Sequence, residues 1–161
     1  MKKLIFAVMF TIFAIASVSA QTKVDKYLGT WKMVSQPKNS KLNMITLNVS
    51  VADEMLKVEK ITEYTVNGKD SSSTVIYSYK LNGGTSTSLP FQSVSASTYL
   101  RYQADGRLRL GYDWNNTAVN QDPLAFNSST REYWSLSGDA KSLTIVYNSN
   151  RPSMGFVFAK Q

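Results

Sequence analysis

The sequence predicts an all-β domain, an antiparallel up-and-down meander of about eight or nine strands closed into a barrel. Three observations carry that prediction. Apolar and polar residues alternate with period two through most of the chain, and no amphipathic 3.6-residue pattern follows the first twenty residues. Turn chemistry recurs at the short spacing that separates strands in barrels and sandwiches. Each hairpin whose register can be fixed from its turn collects its apolar residues on one face.

Residues 1–20 stand apart. Lys2 and Lys3 form a basic head, "LIFAVMFTIFAIA" is an uncharged apolar run, and "SVSA" places small residues just before Gln21. That is the plan of a secretory signal helix, cleaved after Ala20. A retained anchor fits less well, because the apolar run is short for a spanning helix. The chain has no cysteine, which excludes a lipid-modified cysteine at the cleavage point and leaves the exported domain without disulfides. Residues 21–161 then form one barrel domain, long enough for a single core. The expected location is secreted or periplasmic, as a monomer with no membrane contact after cleavage.

The first strand, 29–36, opens inside "YLGTWKMV", and a second covers 42–51. Across a four-residue loop at "ADEM", Val51, Val49 and Leu47 face Leu56, Val58 and Lys60 of the third strand, 56–66. "VNGK" places Asn67-Gly68 as a type I′ turn, since both positions need positive φ. It pairs Lys60 with Val75, Val58 with Tyr77 and Leu56 with Tyr79 of the fourth strand, 72–82. One face thus gathers Leu56, Val58, Tyr64, Val75, Tyr77 and Tyr79. The other gathers Lys57, Glu59, Glu63, Thr74 and Ser78, with Ile61 and Ile76.

"NGGTSTS" reads as a loop. Strands 93–103 and 107–114 follow, joined by Ala104-Asp105-Gly106 with Gly106 left-handed in a bulge, so that Tyr102, Leu100 and Thr98 oppose Leu108, Leu110 and Tyr112. The longest connection runs from Asn115 to Ser129. Strands 130–137, 142–149 and 154–160 close the chain, and "SGDAKS" sets Leu136, Trp134 and Glu132 against Leu143, Ile145 and Tyr147. Closure of such a meander removes both exposed edges and needs no long crossover, whereas a Greek-key sandwich needs crossovers that only 115–129 could supply.

Gly29-Thr30-Trp31, after a short aromatic-containing lead-in and at the start of a meander barrel, resembles the G-x-W signature of the calycins, the lipocalins and their relatives. The tail "TREYWSLSGDAKSLTIVYN" with the last strand "FVFAKQ" is similar to the closing strands of bacterial secreted lipocalin-like proteins. The resemblance implies a barrel whose closed end is plugged by Trp31 and whose interior holds a small apolar molecule. The basic residue that packs on the signature tryptophan would be Lys160. There is no T-D-Y motif, no helix after the last strand, and "PKNSK" is too short for a helical lid.

With neither His nor Cys, imidazole and thiolate chemistry is excluded, and no serine sits in a nucleophile elbow. No catalytic residue, metal site or cofactor is expected. Asp53 and Glu54 read as a solvated turn and not a calcium pair. Without Lys2 and Lys3 the chain carries 16 basic and 11 acidic residues, a net charge of +5, scattered singly, so nucleic acid is not an expected partner. Arg101 and Arg109 oppose each other on the outer face and, with Arg107, could meet an acidic surface; a solvated face is the plainer reading.

Lys60 and Glu132 both fall on inward faces. An isolated buried charge is costly, so three outcomes stand open: escape to the rim, an internal pair, or recognition of a polar ligand head. The candidate ligand-contacting residues are Lys60, Tyr77, Tyr79, Tyr102, Trp114, Phe126, Glu132 and Tyr147, with Trp114 and Phe126 lining the mouth. Two functions compete: a carrier of a small apolar or amphipathic molecule, and a filled-core barrel acting as an interaction or inhibitor module. A hydrolase is a distant third.

Overall fold

The computed structural model describes residues 23–38, 42–91, 94–116, 128–147 and 155–161, with the backbone alone at 88–91, 94, 115–116 and 128. Residues 1–20, expected to form a signal helix, and Phe126 lie outside the described residues. A 3₁₀ turn at Asp25–Tyr27 leads into ten strands: β1 Gly29–Ser35, β2 Leu42–Ala52, β3 Met55–Val66, β4 Lys69–Lys80, β5 Ser86–Phe91, β6 Val94–Tyr102, β7 Leu108–Asn116, β8 Ser128–Leu136, β9 Ser142–Tyr147 and β10 Phe156–Lys160. No helix among the described residues is long and apolar enough to cross a membrane.

All pairings are antiparallel, in the order β4-β3-β2-β1-β10-β9-β8-β7-β6-β5. The first strand therefore meets the last, with Trp31 opposite Lys160 and Met33 opposite Phe158. The sheet curls until its two ends approach. Thr98 of β6 donates its hydroxyl hydrogen to the Ser78 carbonyl of β4, which makes a nearly closed up-and-down barrel.

The hairpin registers are those the turns dictate. Asn67 and Gly68 have φ of 52° and 74°, and Lys60 opposes Val75. Gly106 has φ of 82°, and Leu100 opposes Leu110. The β2–β3 connection is tighter than expected. Ala52 pairs with Met55, so the loop is only Asp53-Glu54, both at positive φ (55° and 58°), and the register is unchanged because both loops preserve the same pairs.

Three elements depart from expectation. β5 occupies a stretch read largely as loop. It lacks apolar alternation and contains Pro90, which has no N–H to donate and is tolerated on a strand at the sheet's edge. β7 and β8 reach to Asn116 and from Ser128, shortening the 115–129 connection from both sides. The third departure is the distal half of the β3–β4 hairpin, which projects beyond the barrel. β4 is exposed from Lys69 through Ile76, so Val75, although on the inward-facing row, is 40% exposed.

The core is continuous. Trp31, Leu47, Leu56, Tyr79, Leu100, Leu110, Trp134, Leu143, Ile145 and Phe158 are buried and pack as one cluster.

Candidate functional site

The barrel interior divides into a sealed end and a polar, partly accessible end. At the sealed end the Trp31 ring is wholly buried, and its indole N–H donates to the Tyr27 carbonyl at 2.8 Å. Tyr27 lies under the barrel, its hydroxyl 3.3 Å from the Gly106 carbonyl and 3.4 Å from that of Trp134. Lys160 extends across the outside of this plug, with Nζ 5.3 Å from the Trp31 ring centre. Gly29 makes room for it: its φ is +116°, and a Cβ there would lie 3.3 Å from Lys160 Cε. The backbone conformation favours glycine, and the missing Cβ also spares the lysine stem a shift of a few tenths of an ångström. Burial pushes the Tyr27 hydroxyl up to about 12.

Toward the open end the inward row changes character. Lys60 of β3 and Glu132 of β8 meet inside the barrel, with Nζ 3.8 Å from Oε1. Both side chains are largely enclosed, 19% and 7% exposed. Lys60 also donates to the Tyr147 hydroxyl at 2.7 Å, and that hydroxyl in turn hydrogen-bonds the Glu132 carboxylate. The second carboxylate oxygen accepts from the Trp134 indole N–H at 2.7 Å. The network spans β3, β8 and β9 and leaves Glu132 well supplied. Lys60 has three N–H donors; among the described residues the Tyr147 hydroxyl accepts one, and Glu132 at 3.8 Å balances the charge without a direct hydrogen bond.

Tyrosines surround this network. Tyr77 stacks on Tyr112 at 4.8 Å between ring centres and on Tyr79 at 6.4 Å. Burial chiefly, and then the Glu132 charge, raise the Tyr79 and Tyr147 hydroxyls well above the usual phenol range. Tyr77 is raised by burial and by its neighbour Tyr112. These phenols stay protonated donors at neutral pH. Tyr77, Tyr112 and Tyr147 keep some accessible surface, unlike the side chains of the plug.

Of the sequence-derived candidates, Lys60, Glu132, Tyr147, Tyr77 and Tyr79 come together here. Trp114 faces inward one pleat beyond Tyr112 toward the open end and is half-buried. Tyr102 sits elsewhere: it belongs to the sealed end, under the ammonium of Lys23 at 5.0 Å, because β6 runs downward to the Gly106 turn. Tyr112 and Trp134 belong to the site but were not singled out for it. The alternation signal was there, since both share a face with Glu132 across one pleat. No cluster of potential metal ligands occurs among the described residues. Two grooves lie outside the barrel, one of about 440 Å³ along Asn43, Ile61 and Ser72, one of about 410 Å³ beneath the plug between Lys26, Arg107 and Ser137.

No family model, curated protein or solved structure matches this chain.

Proposed function

We propose that this is an exported lipocalin-like binding protein, not an enzyme, that carries a small amphipathic molecule in the open half of its barrel. The observation that carries the reading is the asymmetry of the interior. A wholly buried aromatic plug underlies a level where Lys60, Tyr77, Tyr112 and Tyr147 combine ring surface, hydrogen-bond donors and residual accessibility. Pockets of this kind fix a ligand's orientation with a few polar groups on an otherwise aromatic wall. A Lys60 N–H not engaged by Tyr147 suits an acceptor on the ligand, and the tyrosine rings suit its apolar body. Lys160 packed on Trp31, at the junction of first and last strands, supports the likeness to lipocalins.

Native mass spectrometry of protein purified from its own source tests the reading. A small molecule retained by the wild-type protein and lost from Lys60→Met/Glu132→Gln is the expected result. No retained mass, and no competition for a fluorescent anilinonaphthalene sulfonate probe, would remove the carrier reading. One observation favours the second reading, a filled-core interaction module: the Lys60 charge already has Glu132 and Tyr147 as partners. In that case the double variant binds the probe as the wild type does.

A further inference from the structure

The basic residues that look scattered in the sequence are gathered by the fold. The chain has five arginines; three of them, Arg101, Arg109 and Arg131, occupy the outer face of β6, β7 and β8, and a fourth, Arg107, lies in the turn just before β7. Arg101 stands directly opposite Arg109, Gly111 opposite Arg131, and Arg109 opposite Tyr133. Two tyrosines interleave with them. The Tyr99 ring lies between Arg101 and Arg131, 5.7 and 5.0 Å from their guanidinium carbons. The Tyr133 ring holds Arg107 and Arg109, both at 5.8 Å. Gly111 makes the arrangement possible, because a Cβ there would fall 2.1 Å from Tyr99 Cζ.

Asp105 pairs with Arg107 and Asp113 with Arg131, both at 2.7–2.8 Å. Among the described residues no carboxylate pairs with Arg101 or Arg109. Like charges directly opposite on a sheet destabilise it. The face therefore holds two guanidinium groups without a carboxylate partner among the described residues: Arg101, on Tyr99 and donating to the Gly83 and Leu100 carbonyls, and Arg109, on Tyr133 with its Nε buried and unpartnered.

We infer that this face binds an anionic polysaccharide, with carboxylate or sulfate groups along the polymer bound at Arg101 and at Arg109. Guanidinium forks suit planar or tetrahedral oxyanions better than lysine does, and the stacking on tyrosine orients them in advance. A face that crosses three strands fits a linear polymer. Single-stranded nucleic acid is disfavoured, because base stacking needs free aromatic faces. Here Tyr99 lies across the sheet at Gly111, and guanidinium groups flank both rings. A lipid surface is disfavoured because, among the described residues, no exposed large apolar side chain belongs to this face.

The test is the binding of the purified protein to heparin, polygalacturonate, neutral dextran, single-stranded DNA and anionic phospholipid vesicles at several salt concentrations. Binding to heparin or polygalacturonate, absent for dextran and weakened at least about tenfold in Arg101→Gln/Arg109→Gln, is expected. Arg101→Lys/Arg109→Lys, which keeps the charge, should lose at least about threefold. The exposed single variant Arg101→Gln gives the same reading, about threefold weaker, should the double variant not fold. Unchanged binding in the glutamine variants, lysine variants equal to wild type, no binding to either charged polysaccharide, or tighter binding to DNA or vesicles would each overturn the assignment. Interior ligand binding should be indifferent to all these exterior variants, so the two proposals fail separately.

Discussion

Lys60 and Glu132 show how a single residue's environment turns a sequence oddity into a constraint. Removing one member of an enclosed pair strands the other, which typically costs about 3–5 kcal/mol; the residual exposure of Lys60 lowers that to about 2–3 kcal/mol here. Lys60→Met should therefore lower stability in urea by that amount, and adding Glu132→Gln should restore most of it. The glutamine still accepts from the Trp134 indole but leaves no stranded charge. Non-additivity near zero in this cycle would mean that the pair does not form in solution. The interior tyrosines make a second prediction. Their folded-state pKa values lie above the ordinary value of 10.0, that of Tyr27 at about 12. In the unfolded chain they ionise near 10, so the folded state binds more protons above that pH and stability falls as pH rises. The stabilising contribution is complete below about pH 10 and is lost as pH climbs through the folded values. Thermal melts should hold steady to about pH 9.5 and then drop steeply, with phenolate absorbance at 295 nm rising together with unfolding; a flat profile to pH 12 would contradict it. Sequence placed Lys60 and Glu132 on inward faces but not together. Register links neighbouring strands only, and β3 meets β8 across the barrel through its tilt.

Among the elements, the β3–β4 hairpin separates what holds the barrel from what decorates it. Its proximal half contributes Leu56, Val58, Tyr77 and Tyr79 to the interior, while its distal half leaves Val66, Val75 and Ile76 at least 40% exposed. The distal edge of β4, "KDSSST", is charged and polar, the composition that discourages edge-to-edge pairing. Deleting Thr65–Val66 with Lys69–Asp70 joins Tyr64 and Ser71 through the same Asn67-Gly68 turn, preserves the pairing phase and leaves the β2–β3 pairs in place. The shortened protein should unfold within about 1–2 kcal/mol of the wild type, because little apolar area leaves the core. A loss of several kcal/mol would show that the hairpin tip packs on the barrel after all. Hairpins were the most legible elements in the sequence, since a turn type fixes a register and a register fixes a face. β5 was illegible for the converse reason: its serines and Pro90 carry no alternation, and the neighbouring β6 supplies its pairing.

For the molecule as a whole, closure is what gives every inward side chain its meaning. Pairing of β1 with β10 brings Trp31 under Lys160, and the Thr98–Ser78 contact draws the far strands together. The same closure divides interior from exterior and so separates an aromatic plug and a polar ladder from an arginine-tyrosine face. The barrel and its plug were legible because alternation and G-x-W report on neighbours in the chain. The arginine face was legible in part: the Gly106 turn sets Arg101 against Arg109 beside Arg107, whereas Arg131 joins them only through the β7–β8 pairing, which no turn fixes. The most direct test of the account is high-resolution diffraction from protein purified from its natural source, inspected around Lys60. The account predicts non-protein density in the open half, touching Lys60 Nζ and lying against Tyr77 and Tyr112. Side chains of the protein filling that space, with every Lys60 donor held by the chain itself, would contradict it.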